Sequence, residues 1–227
     1  EVVEQTFEAA RRFFGSASEL KHSVDRDERN PLGYNDRELT KQRRDRKEVF
    51  DFIDPAHPVA DGFNRWPELV GFREAMLANY DACDELARRA TDLVLAALGL
   101  PESVQAAHRG DRSASSMRLN HYTLGDPVPE HERDGLSDLA DVSLGQHTDL
   151  GLVTMLLQDD VGGLQAHSEE HGWIDVEPRP GTIVVNLGDC MQVWTNDRYR
   201  AALHRVLPMT STTRMSIPYF LRSLIHI

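Results

Sequence analysis

The chain has 227 residues, 37 of them acidic against 25 Lys and Arg, for a formal net charge of −12. That balance argues against a nucleic-acid surface, which needs clustered basic residues, and no stretch reaches the roughly 18 apolar residues of a spanning helix. Two cysteines, Cys83 and Cys190, are too few and too far apart for a disulfide framework. With no secretory leader visible, they fit a reducing, cytoplasmic setting. The length suits one domain with a well-buried core.

The chain opens at Glu1, without Met, inside a helical pattern of Val3, Phe7, Ala10 and Phe14. Residues 37–48 mix charges of both signs and read as a solvated face or loop. A longer helix is predicted from Pro67, with Leu69, Phe72, Met76, Tyr80, Cys83, Leu86, Ala90, Val94 and Ala97 at spacings of three and four. Gly99 and Pro101 stop it. Its Met and aromatic residues are core. Residues 1–114 thus read as a mostly helical N-terminal part.

From residue 115 the texture changes to short apolar runs between Gly, Pro, Asp and Asn, namely 117–123, 152–157, 173–176, 182–186, 202–207 and 215–221. Such strands imply an antiparallel sandwich or barrel. Residues 125–141, rich in acids and carrying Pro127 and Pro129, read as an exposed loop. Asp159-Asp-Val-Gly-Gly163 reads as a turn.

The residues with chemistry lie on these strands. His147 and Asp149 are two apart, so on a strand they share a face, and His204 sits in another apolar run. Two imidazoles and one carboxylate form the facial triad that holds one side of a ferrous ion and leaves the other open. Arg214 and Ser216, also two apart, can bind the far end of a second iron ligand. A lone His-x-Asp would carry little weight; order and strand setting carry it here. His22, His57, His108, His167 and His171 read as ordinary hydrogen-bonded residues, and Trp173 and Trp194 as packing.

Six stretches make a wider resemblance: Arg118-Leu-Asn-His-Tyr122, Gly145-Gln-His-Thr-Asp-Leu-Gly151, Gly162-Gly-Leu-Gln165, Val184-Val-Asn-Leu-Gly-Asp189, Leu203-His-Arg-Val206 and Arg214-Met-Ser-Ile-Pro-Tyr-Phe220. The chain resembles the isopenicillin N synthase-like branch of the Fe(II)/2-oxoglutarate-dependent dioxygenases, densely over residues 115–221. Asn30-Pro-Leu-Gly-Tyr34 and Lys47-Glu-Val-Phe50 resemble its N-terminal landmarks. The resemblance implies a mainly β fold, a double-stranded β-helix or jelly-roll core over residues 115–221 with helices outside, in one dioxygenase domain spanning 1–227. It also implies clipped ends: an opening strand would precede Glu1, and a helix would follow the finish at Ile227.

By the same resemblance Fe(II) is held by His147, Asp149 and His204. The cosubstrate 2-oxoglutarate chelates it and reaches Arg214, Ser216 and Tyr122, with Asn120 nearer the iron and O2 taking the remaining position. His121 faces the other way by alternation. Arg118, on the face of Asn120, is a candidate for a substrate carboxylate or phenolate, with Phe220 and Tyr34 as further substrate contacts. The expected reaction oxidises a small-molecule metabolite by hydroxylation, desaturation or cyclisation, releasing succinate and CO2. No obligate protein partner and no membrane contact are expected. Alternatives are a 2-oxoglutarate-independent oxidase of the isopenicillin N synthase type, in which Arg214 and Ser216 bind the substrate, and a non-catalytic ligand-binding protein. A zinc hydrolase is weaker, since no extra general base is evident.

Overall fold

A computed structural model describes residues 1–223; Leu224 to Ile227, and with them the expected abrupt finish, lie outside the described residues. The first half contains helices α1 (Val2–Phe14) and α2 (Ser18–His22), strands β1 (Gly33–Asn35), β2 (Leu39–Thr40), β3 (Arg43–Arg44) and β4 (Lys47–Ile53), and helices α3 (Ala60–Phe63), α4 (Phe72–Ala97) and α5 (Glu102–Ala107). It continues through β5 (Asp111–Tyr122), β6 (Leu144–His147), β7 (Val153–Gln158), β8 (Leu164–Ser168), β9 (Gly172–Asp175) and β10 (Val184–Leu187). Helix α6 (Asp189–Trp194) and strands β11 (His204–Val206) and β12 (Arg214–Arg222) complete it.

Two antiparallel sheets face each other. The larger runs β1-β4-β5-β12-β7-β10 and the smaller β6-β11-β8-β9, while β2 and β3 form a separate hairpin. Period-two alternation explains the layering. On β12, Met215, Ile217, Tyr219 and Leu221 belong to the main apolar core, whereas Arg214, Ser216, Pro218 and Phe220 line the space between the sheets. Helices α1 and α4 cover the outer face, where Phe13, Phe50 and Phe72 meet with ring centroids 5.1 to 5.3 Å apart.

Helix α4 differs in detail from its sequence pattern. It begins at Phe72 after Gly71, whose φ of 76° suits glycine, rather than at Pro67. Its buried stripe runs through Met76, Tyr80, Cys83, Ala87, Thr91 and Leu95, leaving Leu86 exposed. The buried line thus departs after Cys83 from the residues chosen by hydrophobicity alone. Asp84 on this helix accepts the Tyr219 hydroxyl at 2.7 Å and so ties α4 to β12.

Residues 37–48 are solvated only in part: Leu39 and Lys41 to Arg43 are exposed, but the segment turns inward from Arg44. Arg44, Asp45, Lys47 and Glu48 are buried, and β4 is an inner strand paired with both β1 and β5. Their charges are neutralised within the fold: Arg44 forks onto Asp126 at 2.7 and 2.8 Å, and Lys47 meets Glu38 at 2.8 Å. The helical reading of residues 1–114 is therefore incomplete, because β1 and β4 belong to the large sheet.

Candidate active site

His147 ends β6 and His204 begins β11, and the two are directly paired across the small sheet. Asp149 lies two residues past the end of β6, in the segment that follows the strand. Close backbone packing fixes that segment. The Asp189 N–H donates to the Asp149 carbonyl at 2.7 Å, and a Cβ on Gly188 would come within 2.3 Å of the Gly151 oxygen.

The imidazole Nε2 atoms of His147 and His204 stand 3.8 and 3.7 Å from Asp149 Oδ1. Their Nδ1 atoms lie 2.8 Å from the carbonyls of Gly145 and Ala202. That places a proton on each Nδ1 and leaves the Nε2 lone pairs turned toward Oδ1. Burial, reinforced by the neighbouring His204, holds His147 below the usual imidazole pKa and keeps it neutral. Asp149 Oδ2 accepts hydrogen bonds from Thr154 Oγ1 at 2.7 Å and Asn186 Nδ2 at 2.8 Å, so Oδ1 alone is offered to a ligand. Among the described residues these three are the group that could hold a metal ion. Two neutral nitrogens and one carboxylate oxygen facing an open cavity fit Fe(II).

The cavity has a volume of about 330 Å³ and runs between the sheets. At its other polar point Arg214, fully buried on β12, sits opposite Tyr122 of β5 with its guanidinium 5.0 Å from the Tyr122 ring centre. Gln158 takes Nη2 at 3.0 Å, while Nε and Nη1 have no partner among the described residues. A buried cation with unmet donors is costly, and a carboxylate would satisfy it. Ser216 lies one step along the same face. Asn120 reaches its Oγ at 3.5 Å and keeps its own Oδ1 unpartnered.

Thus His147, Asp149, His204, Arg214, Ser216, Tyr122, Asn120, Arg118 and Phe220 all line one cavity. Tyr34 does not. Its ring is buried beside Phe13, and its hydroxyl donates to Glu48 at 2.5 Å, outside the cavity. Arg118 does line the cavity, but Asp51 takes its Nε and Nη2 at 2.7 and 2.8 Å and Glu38 its Nη1 at 2.8 Å. His121 faces away, as expected, with Nδ1 2.7 Å from Glu48. Sequence reasoning missed Thr154, Asn186, Gln158, Lys47 and Glu38. Asn186 could have been found as the lone polar residue in Val184-Val-Asn-Leu, whereas Thr154 passes as an ordinary strand residue.

The sequence profile of the 2OG-Fe(II) oxygenase superfamily matches residues 113–223, and that of the non-haem dioxygenase in morphine synthesis N-terminal region matches residues 1–69. The chain belongs to the 2OG-Fe(II) oxygenase superfamily. It is 34% identical over 245 residues to the 2-oxoglutarate-Fe(II) type oxidoreductase hxnY of Emericella nidulans, covering 97% of this chain and 66% of that protein. It is 32% identical over 196 residues to a homoarginine-6-hydroxylase of Oryza sativa, covering 82% of this chain and 58% of the relative. The chain thus spans less than two thirds of either relative's length.

Its fold is that of solved superfamily members with a jelly-roll core. A full-length Neurospora crassa protein in complex with alpha-ketoglutarate and thymine superposes with a TM-score of 0.76 at 28% identity, covering 97% of this chain and 72% of the other. A rice dioxygenase for auxin oxidation gives 0.70 at 25% identity, covering 97% and 69%.

Proposed function

We propose that this chain is an Fe(II)- and 2-oxoglutarate-dependent oxygenase that oxidises a small organic molecule. The observation that carries the proposal is Arg214, a buried guanidinium with two unpartnered nitrogens in the cavity that also holds the His147, Asp149 and His204 cluster. Iron, 2-oxoglutarate and O2 together supply the oxidising power, with succinate and CO2 released. His147, Asp149 and His204 would hold the metal from one side, and Thr154 and Asn186 keep Asp149 turned toward it. Arg214 would take the distal carboxylate of 2-oxoglutarate in a fork that Lys cannot reproduce, with Ser216 and Tyr122 beside it. Apolar walls including Leu156, Leu164 and Val206 keep water from that end.

A small-molecule substrate, with no nucleic-acid or membrane partner, and a reducing, cytoplasmic setting belong to the same proposal. Both cysteines are free, and burial pushes the Cys83 thiol up to about 12. The test is an anaerobic titration of the Fe(II)-loaded protein with 2-oxoglutarate, watching for the visible metal-to-ligand charge-transfer band. A saturable band that Arg214→Met abolishes supports the proposal; iron binding with no band overturns it.

A further inference from the structure

The cavity wall carries more charge than the proposed cosubstrate needs. Besides Arg214, two cations face it, Lys47 from β4 and Arg118 from β5, together with the carboxylate of Glu38 just before β2. These charges are consumed among themselves. Arg118 uses all three of its nitrogens, two on Asp51 and one on Glu38. Lys47 lies 2.8 Å from Glu38 and 3.5 Å from Asp45, and the other Glu38 oxygen accepts from Arg26 at 3.1 Å. Burial alone would raise the Glu38 carboxyl, but Lys47 and Arg118 outweigh it and hold Glu38 far below the carboxylate range. Glu38 is therefore held ionised, paired with Lys47, Arg118 and Arg26. Among the described residues, Arg214 is the one cation of this wall that keeps buried nitrogens without a partner.

One free cation can receive one carboxylate. A second anion would have to share Arg118 or Lys47 with the carboxylates already paired to them, and a substrate ammonium would have to compete with three cations for Glu38. Either event would weaken ion pairs that are largely buried. The same cavity is lined by apolar Leu39, Leu156, Ala202, Pro218 and Phe220, with the hydroxyl residue Thr40 beside Leu39. Asn120, with its unpartnered Oδ1, offers a hydrogen-bond acceptor there.

We propose that the part of the substrate entering this cavity is uncharged and largely apolar, anchored by hydrogen bonding and surface contact and not by an ion pair. This rests on the assignment of Arg214 to 2-oxoglutarate. It reverses the expectation that Arg118 meets a substrate carboxylate. Arg118 instead sets specificity by being closed to anions.

Three molecules of one skeleton test it: phenylacetamide, phenylacetate and 2-phenylethylammonium. Each is titrated into the anaerobic Fe(II)–2-oxoglutarate protein, and binding is read as a perturbation of the charge-transfer band. The band before any addition reports separately on 2-oxoglutarate, so its absence would count against the cosubstrate assignment and not against the substrate class. Phenylacetamide should bind at least about tenfold tighter than either charged relative, the scale of discrimination that unpaired buried charge produces. In Asp51→Asn, which removes the negative charge and one of the two oxygens that Arg118 donates to, phenylacetate should gain about tenfold. A charged probe that binds the unaltered protein as tightly as phenylacetamide, or failure of all three to bind, would overturn the proposal.

Discussion

Thr154 donates its hydroxyl hydrogen to Asp149 Oδ2 at 2.7 Å, on the side of the carboxylate turned away from His147 and His204. With Asn186 holding the same oxygen at 2.8 Å, the carboxylate cannot rotate to offer both oxygens to a metal. Partners of this kind typically contribute about 10- to 100-fold to metal affinity. Thr154→Val keeps the shape and removes the donor. It should weaken Fe(II) binding about tenfold in an anaerobic calorimetric titration, and Asn186→Leu should act in the same direction. Unchanged affinity in both variants would mean that the two residues only pack.

Arg214→Lys keeps the charge and loses the fork. The loss of charge-assisted hydrogen bonds should raise the dissociation constant for 2-oxoglutarate about tenfold or more, while Fe(II) affinity stays level. Equal 2-oxoglutarate binding in the variant would show that the buried guanidinium serves the fold alone.

Tyr34 tests the boundary of the site. Tyr34→Phe removes a hydrogen bond to the charged Glu48, which should cost roughly 1.5 to 3 kcal/mol in denaturant unfolding. The charge-transfer band should be unaltered, since Tyr34 lies outside the cavity. A shifted band would return Tyr34 to the substrate site.

Glu48 gives the acid response. Burial alone would raise its pKa, but hydrogen bonds from His121, Lys21 and Tyr34 outweigh that and hold it below its ordinary value of 4.5. A carboxyl with a depressed folded pKa contributes stability that is complete above the ordinary value and is lost as pH falls through the depressed one. Glu48→Gln should therefore be less stable than the parent at neutral pH, with the gap closing in strong acid. Thermal melts across that range would show it; a gap that does not change with pH would refute the assignment.

The chemistry of the site was legible because it depends on residue types at short spacings. His147, Asp149, Arg214 and Ser216 come in close pairs, and the strands around His204 and Arg214 are apolar enough to be recognised. Less legible was anything set by contacts distant in sequence. Lys47 and Glu48 read as solvent-facing because their partners Glu38, Lys21, Tyr34 and His121 are scattered along the chain, and only the pairing of β4 with β5 brings charges and counter-charges together. Asp149 lies beyond the end of β6, and the Asp189 N–H that holds its backbone is forty residues away, a contact no spacing rule anticipates. Arg118 was rightly placed in the cavity and wrongly given a free charge, because Asp51 is opposite it only once β4 is known to be a strand.

The placement of β12 between β5 and β7 matters while the chain is being made. Both neighbours precede it, so each emerges from the ribosome with one edge unfilled and its inward apolar side chains uncovered. Until residues 214–222 follow, the two halves of the sheet have nothing to join them, and exposed edges of this kind invite pairing with other chains. Joining of the large sheet and completion of the Arg214 pocket thus both depend on β12. Slowing translation just upstream of β12 should prolong the aggregation-prone interval rather than protect the nascent protein.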